Sequence, residues 1–174
     1  PPLVIKDNYR AAGKLTGKIA LISGGDSGIG RAAAVAFAHE GASVAIMYLD
    51  EEEDAQETKR LIEEAGQDCL LLSGDAGQEA VCRAAVERTL KQFNNLDILV
   101  NNAGIVPAGA LETVTDDDIA GALALNVAAP VALTRDLLGR LIASKGQVVN
   151  MGSVFGDIGF PFFGLYSATK FALR

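Results

Sequence analysis

The sequence is poor in the residues that carry metal and hydrolytic chemistry. It has no Trp, two Cys and one His in 174 residues. Cys69 and Cys82 match neither a metal-ligand spacing nor a CxxC pair, and His39 alone cannot complete a zinc site. A Ser-His-Asp triad would have to use His39, which stands beside no plausible nucleophile. The sequence therefore predicts no metal site and argues against a hydrolase.

Basic residues are also scarce, with 15 Lys and Arg against 22 Asp and Glu and a formal net charge of −7. A nucleic-acid-binding face needs clustered positive charge, and an anionic membrane repels a negatively charged surface. No apolar run in the sequence approaches the ~20 residues that cross a bilayer. Residues 1–17 lack the apolar core of a secretory signal. We therefore expect no nucleic-acid partner, no membrane partner and a cytoplasmic location.

The sequence does contain a regular alternation of two kinds of segment. Residues 1–17 show no period and are interpreted as an arm, and residues 18–174 as one domain, because this length favours a single domain. Short apolar runs typical of buried strands occur at residues 18–23, 43–48, 69–73, 96–100 and 147–151. Helical patterns occur at residues 31–40, 51–65, 78–93, 115–142 and from 166 onward. This alternation predicts an α/β fold, a doubly wound parallel sheet with helices on both faces.

A glycine-rich segment, residues 23–30, lies between the first strand and the first helix. Gly24 permits a tight turn, Gly28 lets the backbone approach a pyrophosphate, and Gly30 lets the helix pack closely on the sheet. The amino terminus of the helix then offers free N–H groups to phosphates. The alternative is an ordinary flexible turn, which the placement of three glycines at this junction disfavours. The segment therefore predicts a dinucleotide site.

The end of the second strand bears on which dinucleotide binds. An acidic residue about 20 positions beyond the glycines commonly holds the ribose of NAD, whereas a basic residue accommodates the 2′-phosphate of NADP. No Lys or Arg occurs at residues 26–27 or 48–54, and residues 51–54 are all acidic. The acidic cluster is also explained as a solvated helix start that complements the helix dipole. The pattern weakly favours NAD over NADP.

Tyr166 and Lys170 are four residues apart near the carboxyl end and share one face of the predicted helix. A phenol near pKa 10 is a poor acid or base at neutral pH, and a neighbouring ammonium lowers that pKa. Ser153 follows the fifth strand, at the end of the sheet where ligands of parallel sheets bind. The alternative for Tyr166 and Lys170 is an exposed pair on an amphipathic helix. The pattern alone favours this surface pair, although the pairing of the two side chains would suit acid–base chemistry on an alcohol or carbonyl.

At this point the sequence resembles the short-chain dehydrogenase/reductase family over roughly residues 15–174. Several motifs of that family occur in order along the chain. They are the glycine loop Ser23–Gly30, Asp75 after the third strand, Asn101-Asn102-Ala103-Gly104 after the fourth, Asn126 in a long helix, and Ser153, Tyr166 and Lys170. The resemblance implies a Rossmann-like sheet with strand order 3-2-1-4-5.

The resemblance also implies an NAD(P)-dependent oxidoreductase that interconverts a small alcohol and a ketone or aldehyde. Tyr166 would exchange the proton, Lys170 would lower its pKa and hold the nicotinamide ribose, Ser153 would bind the substrate oxygen, and Asn126 would hold a water in a relay to Lys170. The cofactor-binding residues implied are Ser23, Gly24, Ser27, Gly28, Ile29, Gly30, Leu49, Asp75, Ala76, Asn102, Ala103 and Gly104, with Tyr166 and Lys170.

The sequence given stops four residues after Lys170, whereas family members usually continue through two further strands and a substrate lid. We expect it to be part of a longer polypeptide in preference to a shortened member of the family. The fifth strand would then lack its usual outer neighbour. Two alternatives to an enzyme stay open: a non-enzymatic dinucleotide-binding module, and an inactive fragment that associates with itself. Family members are commonly homo-oligomers, so a second copy of the chain is a candidate partner.

Overall fold

The computed structural model describes residues 9–174, which form a five-stranded parallel sheet with helices on both faces. The strands are β1 (Ile19–Ser23), β2 (Ser43–Tyr48), β3 (Cys69–Ser73), β4 (Ile98–Asn101) and β5 (Gln147–Asn150). Their order across the sheet is β3-β2-β1-β4-β5, and all four pairings are parallel. The predicted Rossmann-like fold and its strand order are therefore confirmed.

Six α-helices connect and cover the strands. They are α1 (Gly28–His39), α2 (Glu52–Glu64), α3 (Glu79–Phe93), α4 (Asp116–Leu123), α5 (Ala129–Ser144) and α6 (Gly164–Leu173). Leu21 and Met47 pack with α3 and α5 on one face of the sheet. Ile22 and Ile46 pack with α1 and α2 on the other face. Because successive strand residues point to opposite faces, an apolar run with no alternation is what two covered faces require.

The helix ends show the local signals that the sequence carries. Gly66 follows α2 with φ +81°, and the N–H groups of Gly66 and Gln67 bond to the carbonyls of Glu63 and Ile62, which is a Schellman ending. Thr115 and Asp118 form a reciprocal capping box at the start of α4. Helix α1 begins at Gly28, three residues before the predicted start. Glycine has low helix propensity, so the sequence pattern did not indicate this first turn.

Helices α4 and α5 are continuous through a π-helical segment, Ala124–Ala128. By length and composition this span, Asp116–Ser144, is the one helix among residues 9–174 that could cross a membrane, with a mean hydropathy of 1.2. Its apolar residues are interrupted by polar and charged ones, so the sequence has no continuous apolar run there. Its Leu133, Leu137 and Leu141 lie in the core against the sheet. The span is therefore placed as a core helix of this domain.

The arm predicted at residues 1–17 is described only from Tyr9 onward, and residues 1–8 lie outside the described part. The side chain of Glu40, at the end of α1, accepts hydrogen bonds from the Tyr9 hydroxyl and from the N–H groups of Ala12 (3.1 Å) and Lys14 (2.9 Å). The Leu15 N–H donates to the Glu40 carbonyl at 2.9 Å. One buried carboxylate thus fixes residues 9–15 against the domain.

Candidate active site

A cavity of about 320 Å³ opens at the carboxyl ends of β1 to β4. Eight of the predicted cofactor-binding residues line it: Gly24, Ser27, Leu49, Asp75, Ala76, Asn102, Ala103 and Gly104. These residues come from four separate loops, which meet because the carboxyl ends of parallel strands lie on one edge of a sheet. The sheet topology therefore brings four segments that are distant in the sequence together around one crevice.

The glycine loop has no room for a side chain at Gly24 or Gly30, whereas the space beside Gly28 is open. Gly24 has φ +64°, and a Cβ placed on it would lie 3.1 Å from the Cα of Ala103. A Cβ placed on Gly30 would lie 1.8 Å from the carbonyl oxygen of Gly24. Gly28, with φ +53°, starts α1 and has no neighbour within 4 Å of its Cβ direction. The result is an open backbone cradle at a helix amino terminus, which fits a pyrophosphate.

Ser23 and Asn102 join the ends of β1 and β4. The buried Ser23 hydroxyl accepts hydrogen bonds from the N–H groups of Asn102 (3.1 Å) and Ala103 (3.0 Å). The Asn102 side-chain amide donates to the carbonyls of Ser23 (3.1 Å) and Gly24 (2.9 Å). Ser23 is thus turned toward the neighbouring loop and does not line the crevice. It shapes the crevice by holding the two loops together.

Arg31, in α1, connects the glycine loop to α2. Its Nε donates to the Asp26 carbonyl and to the Thr58 hydroxyl, both at 2.8 Å, and the Thr58 hydroxyl donates to the same carbonyl at 2.8 Å. Its Nη2 pairs with the Asp54 carboxylate at 2.6 Å. Nε and Nη2 of Arg31 are therefore engaged by protein groups beside the crevice.

The crevice is negatively charged. Asp26, Glu51 and Asp75 line it, and none of the described lining residues is Lys or Arg. Asp75 accepts a hydrogen bond from the Gly77 N–H at 2.8 Å, which fixes its carboxylate at the turn after β3. An additional phosphate group would meet like charge at this end of the crevice.

Lys170 is buried, and its ammonium donates to the Met151 carbonyl at 2.8 Å, directly after β5. Burial lowers the pKa of Lys170. Its Nζ lies 5.7 Å from the centre of the Tyr166 ring, whose opposite neighbour is Phe155 at a centroid distance of 5.6 Å. The two predicted catalytic residues of α6 therefore lie side by side, with Tyr166 half-buried.

Asn126 lies in the π-helical segment and is 1% exposed. Its Oδ1 accepts the Ile105 N–H at 2.9 Å, and its Nδ2 donates to the Ile105 carbonyl at 2.9 Å. A Cβ placed on Gly104 would lie 3.1 Å from Asn126 Oδ1 and 3.8 Å from Lys170 Nζ. The structure thus brings Asn126 and Lys170 together at Gly104, on the rim of the crevice.

Ser153 is placed differently from the other predicted catalytic residues. It caps the short helical turn Val154–Gly156, and its hydroxyl accepts the Phe155 N–H at 3.2 Å. It lines a second cavity of about 510 Å³, beside β5, to which Lys170 also contributes. Ser153 and the glycine loop therefore face separate cavities, and Lys170 lines the cavity that Ser153 faces.

Sequence reasoning missed seven residues of the crevice wall. They are Asp26, Met47, Tyr48, Glu51, Gly74, Ile105 and Leu125. Met47, Tyr48 and Gly74 end or directly follow a strand, and that position is the signal that would have found these three. Three other predicted residues, Gly28, Ile29 and Gly30, belong to the first turn of α1 and lie outside the crevice lining.

A profile of the family described as short chain dehydrogenase matches residues 18–174. Two Bacillus subtilis (strain 168) proteins, General stress protein 39 and the uncharacterized oxidoreductase YhdF, are 43% and 42% identical over 174 residues, which are 99% of this chain and 60% of each relative. The crystal structure of a short chain dehydrogenase from Burkholderia cenocepacia J2315 in complex with NADP has 39% identity and a TM-score of 0.86. That match covers 91% of this chain and 65% of the Burkholderia chain. The chain spans about 60% of the length of the curated relatives it matches.

Proposed function

Because this chain belongs to the short chain dehydrogenase family, we propose that it carries the cofactor site and the acid–base residues of an NAD(P)-dependent oxidoreductase. The reaction proposed is the interconversion of a small alcohol and its ketone or aldehyde. One observation carries the proposal: the ammonium of Lys170 and the amide of Asn126 converge on Gly104, which also lines the crevice built by the glycine loop. Acid–base groups and a dinucleotide site therefore share one rim.

The residues of the crevice fit a dinucleotide. The backbone of Gly24, Ser27 and Gly28 would hold the pyrophosphate, because the first turn of α1 has free N–H groups and no obstructing side chain. Leu49, Asp75 and Ala76 would hold the adenosine, at the ends of β2 and β3. When bound, the nicotinamide supplies the hydride donor or acceptor for the reaction.

The other steps belong to the residues of the chain. Tyr166 would give or take the proton at the substrate oxygen. Lys170 has a fixed position because Met151 accepts one of its hydrogens, and this places its charge 5.7 Å from the centre of the phenol ring. Ser153 would hydrogen-bond the substrate oxygen. Asn126 keeps one Oδ1 lone pair after accepting the Ile105 N–H, and that lone pair would hold a water in a relay to Lys170.

The charge of the crevice supports NAD as the preferred dinucleotide. Asp26 and Glu51 lie where a 2′-phosphate would add negative charge, and the nearby Arg31 is already paired with Asp54. The NADP in the Burkholderia structure makes NADP the competing candidate. The dissociation constants of NADH and NADPH, measured by fluorescence titration at low salt, decide between them. A smaller constant for NADPH contradicts the charge argument.

The test of the catalytic proposal is Tyr166→Phe, which removes only the phenol oxygen. We expect the variant to lose turnover of a panel of small ketones and aldehydes, at least about a hundredfold, and to bind the dinucleotide with the parent dissociation constant. Tyr9→Phe is the matched control, because Tyr9 lies on the arm beside Glu40, and it should retain parent activity. Near-parent turnover by Tyr166→Phe would show that the phenol does not transfer the proton.

A non-enzymatic dinucleotide-binding module is the second candidate. The observation that favours it is that four loops within residues 9–174 form the glycine-loop crevice, whereas the outer side of β5 leaves Val148 and Val149 about 40% exposed. Dinucleotide binding without turnover of any carbonyl in the panel would support this candidate.

A further inference from the structure

The hydroxyl of Thr169 is fully buried between α6 and the π-helical segment. It donates a hydrogen bond to the Tyr166 carbonyl at 2.8 Å, one turn earlier in α6. It also lies 3.0 Å from Nδ2 of Asn126. Thr169 is therefore in contact with two of the proposed catalytic residues and is the sequence neighbour of a third, Lys170.

The direction of each bond follows from the count of donors and acceptors. The backbone N–H of Ile105 can only donate, so the atom of Asn126 that faces it must be the oxygen Oδ1. Nδ2 then has two hydrogens, of which one goes to the Ile105 carbonyl. The single proton of the Thr169 hydroxyl goes to the Tyr166 carbonyl, so a lone pair of Oγ1 accepts the second hydrogen of Nδ2. Every donor in this chain of bonds has an acceptor.

The chain of bonds crosses the proposed active site. It begins at the Tyr166 carbonyl, passes through Thr169 and Asn126, and ends at both backbone groups of Ile105, which lines the crevice. Helix α6 holds Tyr166 and Lys170, whereas the loop at Gly104 and Ile105 borders the crevice. The Thr169 hydroxyl therefore links α6 to the side-chain amide of Asn126, and this amide holds the loop at Gly104 and Ile105.

We propose that Thr169 is a positioning residue, whose hydroxyl sets the orientation of Asn126 and the placement of α6 against the crevice. This inference rests on the proposed function for its catalytic consequence. Removal of the hydroxyl leaves one buried hydrogen of Asn126 without an acceptor, which is costly. The Asn126 side chain is then expected to rotate away from Ile105. As a result, Tyr166 and Lys170 lose their alignment with the crevice.

The experiment compares three variants of the intact protein. Thr169→Val keeps the shape and removes the hydroxyl, Thr169→Ser restores the hydroxyl, and Ser167→Ala is the matched control. Ser167 is also buried on α6, between Tyr166 and Lys170, but its hydroxyl has no hydrogen-bond partner among the described residues. Four quantities are measured: kcat and KM with NADH and NADPH, the dissociation constant of each dinucleotide, and the hydrogen-exchange rate of the Ile105 N–H by NMR.

For Thr169→Val we expect kcat to fall at least about tenfold, as a small misplacement of reacting groups does, with the dissociation constant of the dinucleotide near its parent value. The Ile105 N–H should exchange faster, because its acceptor is no longer held. Thr169→Ser should restore the parent kcat and the parent exchange rate of the Ile105 N–H. Ser167→Ala should leave both of these values unchanged. If Thr169→Val fails to fold, Thr169→Ala takes its place with the same expectations.

Parent values of kcat and of the Ile105 exchange rate in Thr169→Val overturn the proposal. So does equal impairment of Thr169→Ser and Thr169→Val, because packing and not the hydroxyl would then be responsible. If the parent protein turns over no carbonyl compound, the proposed function fails by itself. The Ile105 exchange rate then decides whether Thr169 positions Asn126.

Discussion

The ammonium nitrogen of Lys170 lies 2.8 Å from the backbone carbonyl oxygen of Met151. This bond connects helix α6 to the residue that directly follows strand β5. The backbone N–H of Met151 in turn donates to the Asn101 carbonyl at the end of β4, at 2.9 Å. The position of the Lys170 charge is thereby set by the sheet itself, through one hydrogen bond from its side chain to the backbone and one between backbone groups.

Lys170→Met should lower turnover at least about a hundredfold, because the phenol of Tyr166 loses the adjacent charge. The fold should tolerate the change, since burial of an ammonium is costly and Met has a similar length. Burial lowers the pKa of Lys170 below its ordinary 10.5, so the unfolded chain binds more protons as the pH approaches that value. The parent should therefore gain stability relative to Lys170→Met as the pH rises toward 10.5.

Steady-state kinetics with a carbonyl substrate and urea unfolding at neutral and alkaline pH test this prediction. Lys170→Arg keeps the positive charge but changes the size of the side chain. It therefore distinguishes the effect of the charge on turnover from the effect of side-chain packing. Parent-like turnover in Lys170→Met would remove the lysine from the mechanism.

Gly30→Ala should destabilise the domain by at least about 3 kcal/mol, at the upper end of the cost of overpacking. The added Cβ would lie 1.8 Å from the Gly24 carbonyl oxygen, so α1 must move away from the glycine loop. Dinucleotide affinity should fall together with stability. Gly139→Ala is the control, because it is an exposed helical position with no atom near the new Cβ, and it should stabilise α5 by up to about 1 kcal/mol. Urea unfolding and nucleotide titration measure both effects, and equal stabilities of the two variants would contradict the packing argument.

Glu40→Gln should release the arm, residues 9–17, in a pH-dependent way. The hydrogen bond from the Tyr9 hydroxyl and that from the Lys14 N–H lower the pKa of Glu40 to about 2 from an ordinary 4.5. A carboxylate with a lowered pKa stabilises the folded state above its ordinary pKa, and that stabilisation is lost as the pH falls through the folded pKa. The parent should therefore melt at a higher temperature than Glu40→Gln at neutral pH, and the difference should shrink between pH 4.5 and about 2.

Thermal unfolding of both proteins over this pH range measures the effect. Glu87→Gln is the matched control, since Glu87 is an exposed carboxylate of α3 with no ion pair in the described structure. It removes an exposed charge of α3 and should melt near the parent temperature at neutral pH. A constant difference between the parent and Glu40→Gln from neutral pH to pH 2 would show that the charge of Glu40 does not hold the arm.

The fold was predictable because both faces of the sheet are covered. The runs at β1 and β2 are apolar at successive positions, which only a sheet with helices on both sides requires, and the structure confirms it. The glycine spacing fixed where the crevice would open, because a Cβ at Gly24 or Gly30 meets backbone atoms. These features follow from local sequence and steric exclusion alone.

The contacts of individual site residues were not predictable in the same way. Ser23 and Asn102 are 79 positions apart, and their pairing depends on the placement of β4 beside β1. The π-helical turn at Asn126 has no signal in the periodicity of the sequence. Its bonds to Ile105 and Thr169 exist only after α4 and α6 have packed together. Such contacts belong to tertiary structure, which a pattern of apolar positions does not encode.

The π-helical turn has a consequence for how mutations along Asp116–Ser144 should be compared. A π turn contains one more residue than an α turn, so it shifts the angular phase of everything that follows by about 100°. Before the turn, Ala122 is buried, and after it Leu133, Leu137 and Leu141 are buried against the sheet. Positions before the turn, such as Ala122, and positions after it, such as Leu133, therefore cannot be compared on one helical wheel drawn at 100° per residue.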